Sequence, residues 1–131
     1  MSSPKYFFAM FGDPSPPEKD TIESGIYHPH PKCAPFPPRP GDILLLYCSG
    51  SYSQYPMQVP GLGVVLQVDN ETVRYRYLPL SNPVSKERIE RGFLPNDVSH
   101  FKNRRFYTFW LFEVSRESFV RTVGDQPIVW P

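Results

Sequence analysis

Residues 41–69 read GDILLLYCSGSYSQYPMQVPGLGVVLQVD: two apolar, β-prone runs on either side of a loop of small and aromatic polar residues. The runs, 43–48 and 61–68, are read as consecutive strands. Gly and Pro punctuate both ends of the loop, 49–60. The first strand leaves through Ser49-Gly50-Ser51-Tyr52, and the chain returns through Pro60-Gly61-Leu62-Gly63. Such an arrangement presents a shaped pocket at the rim of a barrel.

C-terminal to this unit, Asp69-Asn70-Glu71 is a tight polar turn of the kind that closes hairpins. Residues 72–80 then alternate, with Val73, Tyr75 and Tyr77 on one face and Arg74, Arg76 and Leu78 on the other. Asn82-Pro83-Val84-Ser85 is read as a helix start, with the helix running through Arg91 and stopped by Gly92. A further helical turn is expected within 95–103, and a long aromatic strand, YTFWLFEV, over 107–114. Ser115 caps a short helix to about Val123, Gly124 ends it, and Ile128-Val129-Trp130 docks back on the body.

N-terminal to the unit, residues 5–11 (KYFFAMF) predict a strand buried on both faces, ended by Gly12-Asp13-Pro14. Ser15-Pro16-Pro17-Glu18 opens a helix over 16–24, with Gly25 at its C′ position. Residues 25–40 hold too many prolines for a helix or an interior strand and are read as an extended, polyproline-like strap. Strands 43–48, 61–68 and 72–80 follow one another without crossover helices, which argues against a doubly wound sheet. The expected fold is α+β and mainly β: one domain over residues 1–131, a twisted barrel of about five to six strands with short peripheral helices.

Composition narrows the partners. At 131 residues with 40% hydrophobic side chains, the chain can build one core and is too apolar for disorder. No apolar run reaches the roughly 20 residues of a membrane-spanning helix. MSSPKYFF lacks the charged and apolar regions of a signal peptide, so a cytoplasmic, non-membrane protein is expected. Cys33 and Cys48 form no CxxC and suggest neither a zinc site nor a disulfide framework. His28 and His30 share one side of an extended segment but lack further ligands at metal spacing, so no metal or other cofactor is expected. The net charge of +1 hides a basic middle: residues 74–105 carry eight Lys or Arg against three acids, a net of +5. A local basic surface for nucleic acid is therefore possible where a global one is absent.

The first strand of the YFFAMF type, Pro40-Gly41-Asp42 before an apolar strand, the small turn Cys48-Ser49-Gly50, Pro60-Gly61-Leu62-Gly63 and the late aromatic strand together resemble the PUA-like superfamily. Within it the chain is most similar to the EVE type, relatives of YTH and ASCH domains. It departs from that type between the first two strands, where the proline-rich strap replaces a segment with a Trp. The resemblance implies a PUA-like barrel that holds a modified, unpaired base of DNA or RNA in an aromatic pocket.

Such a base needs π surfaces on its faces and hydrogen-bond groups at its edge. Tyr52, Tyr55 and Trp110 are the candidates for the faces, and Ser49, Gly50 and Ser51 for the edge. Arg74, Arg76, Lys102, Arg104 and Arg105 are the phosphate candidates. Each has a plainer role open to it: Trp110 as core, and Arg74 and Arg76 as the wet face of a sheet. Lys86, Arg88 and Arg91 read as a solvated helical face with Glu87 and Glu90 interleaved. No catalytic residue is assigned. Two alternatives stay open: an ASCH-like nucleoside amidohydrolase using groups such as Lys5 and Glu113, and a protein-interaction module using the strap over 29–40.

Overall fold

A run of six apolar side chains has no place for a wet face, and β3 (Ile43–Cys48) has none: all six residues are buried. The computed structural model describes residues 4–11, 21–28, 38–49, 54–69, 72–102, 111–128 and 130. Its strands are β1 (Tyr6–Phe11), β2 (Ile26–Tyr27), β3, β4 (Gln58–Val68), β5 (Val73–Ser85) and β6 (Leu111–Val114). They form one mixed sheet in the order β2-β5-β4-β3-β1-β6. β3, β4 and β5 are an antiparallel meander, whereas β1 lies parallel to β3 and antiparallel to β6.

The register stacks like with like. Phe112, Phe8, Leu45, Leu62 and Leu78 stand side by side across five strands. This row packs under α1 (Lys86–Gly92) and α3 (Arg116–Val123), which contribute Ile89, Phe119 and Val123 to the same core. Phe8 is fully buried there, its ring 4.9 Å from Phe112 and 5.1 Å from Tyr47. The other face buries Phe7, Phe11, Leu44, Leu46 and Cys48 with Val73, Tyr75, Tyr27 and Ile22.

The sheet is rolled towards that second face. Strands four positions apart in a flat sheet lie about 19 Å apart, at roughly 4.8 Å per strand. Yet the rings of Phe11 on β1 and Tyr27 on β2 are 4.8 Å apart. The result is a half-barrel: mainly β, twisted and carrying short helices as expected, with β2 and β6 at the ends of the described sheet.

Gly41-Asp42 proves to be a structural knot. Gly41 turns the chain at φ 95°, and its N–H donates to the Val65 carbonyl at 2.8 Å. The buried Asp42 carboxylate accepts from the Lys5 N–H at 3.0 Å and the Arg39 N–H at 2.8 Å. One side chain thereby joins the entry to β1, the turn before β3 and, through its own backbone, β4.

Gly61 and Gly63 serve the roll. A Cβ on Gly63 would lie 2.7 Å from Tyr75 Cδ2, and one on Gly61 would run into Tyr77 Cε1. The tyrosine rings of β5 lie across the bare backbone of β4.

A second polar knot joins α2 (Pro95–Lys102) to α3. The Asp97 carboxylate accepts from the Ser115 N–H and Oγ and from Ser118 Oγ, while Ser118 Oγ accepts the Leu94 N–H. Ser118 is fully buried and no buried side-chain polar atom among the described residues lacks a partner.

Several boundaries differ from expectation. β4 begins at Gln58, inside the expected loop, because Gln58 and Val59 pair with Ser85 and Val84. β5 continues through 82–85, where a helix start was expected, because Val84 is buried in the core. Pro79 and Pro83 are tolerated where the register slips, and the Gln126 side chain bonds both the N–H and the carbonyl of Asn82. Ser85 is therefore the cap of α1, accepting from the Arg88 N–H.

The expected strap begins as strand, since Ile26 and Tyr27 pair with Arg74 and Val73. Of the helix expected over 16–24, residues 22–24 form one 3-10 turn, and Gly25 is left-handed at φ 76° as a C′ residue should be; residues 12–20 lie outside the described set, as do 29–37 of the strap. The aromatic strand is described over Leu111–Val114, its 107–110 portion also lying outside. Ser115 and Gly124 bound α3 as expected, and Ile128 packs on the core. Among the described residues no helix is long and apolar enough to cross a membrane.

Candidate functional site

The rim is the end of the sheet where Cys48, Gln58 and Ser85 stand abreast. Ser49 leaves β3 half-buried, held by its N–H donating to the Phe11 carbonyl at 2.8 Å. Tyr55 is half-buried against the concave core, beside Gln54, whose amide donates to the phenol oxygen at 3.4 Å. The chain enters β4 through Met57 at φ 57°, an uncommon conformation for a residue with a side chain. The Met57 carbonyl accepts the Lys86 N–H at 3.1 Å, which joins the rim to the start of α1. Gly50, Ser51, Tyr52 and Trp110, the other predicted pocket residues, lie outside the described residues.

Arg74 and Arg76 are exposed on one face of β5, as alternation predicts. They lie at the far end of the sheet from the rim. Arg76 stands in register with Val64 and Ile43, five residues along β3 from Cys48, a span of about 17 Å at roughly 3.3 Å per residue. The structure therefore does not gather the base and phosphate candidates into one pocket. Lys102 is the last residue of α2, while Arg104 and Arg105 lie outside the described residues.

The groups named for the hydrolase alternative do meet. Lys5 Nζ is 3.9 Å from Glu113 Oε1, but both side chains are half-exposed or more. The pair flanks the start of β1, at the opposite end from the rim. Ser118 is closed to substrate by burial, with its hydroxyl committed to Asp97. Among the described residues no group of three or more His, Cys, Asp and Glu side chains is placed to hold a metal.

Cys48 is no nucleophile either. Burial, with a smaller contribution from the Glu23 carboxylate, pushes its thiol up to about 12. In a Cys33→Ser background the native protein is expected to resist maleimide at neutral pH and to react on unfolding. The neutral thiol favours the folded state below the unfolded value of 9.0, and that contribution fades as pH rises from there towards about 12. Alkaline unfolding should accordingly be steeper than in a Cys33→Ser/Cys48→Ala variant. Rapid labelling of the native thiol at pH 7 would contradict this.

A third place lies where Arg88 and Arg91 are expected to be only a solvated helical face: Arg88 is instead half-buried. α1 and α3 approach so closely at Gly92 that a Cβ there would lie 2.7 Å from Thr122 Oγ1. Arg88 crosses the gap, donating from Nε to the Thr122 carbonyl at 3.1 Å and pairing with Asp125. Arg88, Arg91, Gly92 and Arg121 line an open cleft of about 360 Å³. Arg88 and Arg91 are one helical turn apart in sequence, but Arg121 is 30 residues on, and only the helix crossing unites them.

No family model, curated protein or solved structure matches the chain. The reading of its function rests on this geometry and on the residues themselves.

Proposed function

We propose that the protein is a non-catalytic nucleic-acid-binding module of PUA-like, EVE-type build that takes an unpaired, modified base at its rim. The observation that carries this reading is a set of exposed arginines without carboxylate partners, on β5 and on the helices. Arg74, Arg76, Arg91 and Arg121 are exposed and have no carboxylate at ion-pair distance among the described residues. Guanidinium groups left without carboxylates suit a polyanion, whose phosphates they bind as two-pronged donors. Two further features support it: a curled, mainly β sheet with short helices is what a PUA-like domain requires, and the rim offers Tyr55 and Ser49. In this reading the base sits at the rim, and the strand runs over the sheet towards Arg74 and Arg76, with Lys102, Arg104 and Arg105 as further phosphate contacts.

Fluorescence anisotropy with single-stranded DNA and RNA, each with and without modified bases, tests it. Affinity is expected to fall linearly in log–log form with salt, and Arg74→Ala/Arg76→Ala to reduce that slope by about one to two. Tyr55→Ala is expected to weaken binding of the preferred base about tenfold, the scale of one lost stacking contact. No detectable binding of any oligonucleotide at low salt would overturn the proposal.

A further inference from the structure

We infer that the cleft between α1 and α3 is a second anion site, one that takes a phosphomonoester dianion. It lies on the helix-covered face of the sheet rather than among the rim residues, and it stands whether or not the rim binds a base.

Among the described residues three guanidinium side chains line the cleft, and one carboxylate, Asp125, is paired with Arg88. The surplus is two positive charges. A terminal phosphate carries close to two negative charges at neutral pH, whereas a phosphodiester carries one. Arg88 is already oriented by the Thr122 carbonyl, so its fork needs little further ordering, while Asp125 competes for it. Arg91 and Arg121 are exposed and lack a carboxylate partner among the described residues. The bare backbone of Gly92 lets the helices approach closely, and Arg91 from one and Arg121 from the other line one opening. At about 360 Å³ the cleft exceeds a phosphate group and has space for an attached sugar. The ligand chemistry is thus a sugar phosphate, either free or as the phosphorylated end of a nucleic acid.

Calorimetry on the full chain separates these sources. One arm compares ribose 5-phosphate with dimethyl phosphate, a monoanionic diester, at equal ionic strength. The other compares one oligonucleotide bearing a 5′-phosphate with the same oligonucleotide bearing a 5′-hydroxyl. The monoester is expected to bind more tightly than its control by tenfold or more in at least one arm. Arg91→Ala/Arg121→Ala is expected to abolish that preference, and Asp125→Asn, which releases Arg88 and removes the opposing charge, to strengthen it several-fold. Tyr55→Ala should leave the preference intact, so failure at the rim and failure at the cleft give different results. The inference is overturned if neither monoester exceeds its control. It is equally overturned if the double arginine variant, with circular dichroism and melting temperature unchanged, keeps the wild-type preference.

Discussion

Asp42→Ala is expected to lower the unfolding free energy by about 3–5 kcal/mol, a large share of the roughly 5–15 kcal/mol of an ordinary domain. Its carboxylate satisfies two backbone N–H groups, of Lys5 and Arg39, at 3.0 and 2.8 Å. Hydrogen bonds to a charged acceptor contribute about 1.5–3 kcal/mol each, and alanine leaves both donors facing a partly buried void. Asn is the informative control. It keeps one acceptor oxygen but turns an N–H₂ group towards the other donor, so about half the loss is expected. Urea unfolding followed by tryptophan fluorescence and circular dichroism measures the difference. A loss under about 1 kcal/mol for alanine would mean that the turn holds itself without the carboxylate.

Gly63→Ala is expected to cost about 2–3 kcal/mol although it adds one methyl group. The new Cβ would meet Tyr75 at Cδ2 and at Cγ, 2.7 and 2.9 Å away, near the root of that side chain. The ring has no easy retreat, because its hydroxyl donates to the Ile22 carbonyl at 2.6 Å. Shortening the neighbour should relieve the clash. Gly63→Ala is therefore expected to cost at least 1 kcal/mol less in a Tyr75→Leu background than alone, a coupling measurable in a double-mutant cycle. Strict additivity of the two substitutions would show that the glycine is not there to seat the ring.

These two sites show what was legible in the sequence. Gly41-Asp42 and Gly61-Leu62-Gly63 are legible as motifs, and so are the strands beside them, from apolar runs and alternation, although β4 starts earlier, at Gln58. Their purpose was not legible, because it depends on partners such as Lys5 and Tyr75 that only the register brings near. The end of β5 departs from the local signal for a related reason. Asn82-Pro83 is a strong local signal for a helix start, but Val84 is drawn into the core opposite Val59, and tertiary packing prevailed over local preference. The parallel pairing of β1 with β3 leaves no mark on periodicity, since both strands are simply apolar. Arg121 shows the same limit in the site: nothing near it in sequence points to Arg88 or Arg91.

The place of β1 in the sheet also constrains how the fold can assemble. β3, β4 and β5 are neighbours in sequence and in space, so their pairings close short loops. β1 is made first but lies between β3 and β6, and its pairings span the separations Tyr6 to Ile43 and Tyr6 to Val114. Its aromatic side chains therefore have no complete seat until residues 111–114 exist. During synthesis the meander can pair early and β1 can join it through β3, while the second edge of YFFAMF must wait for a partner more than a hundred residues downstream. Until β6 arrives, one edge of β1 stands unpaired, and unpaired strand edges favour aggregation.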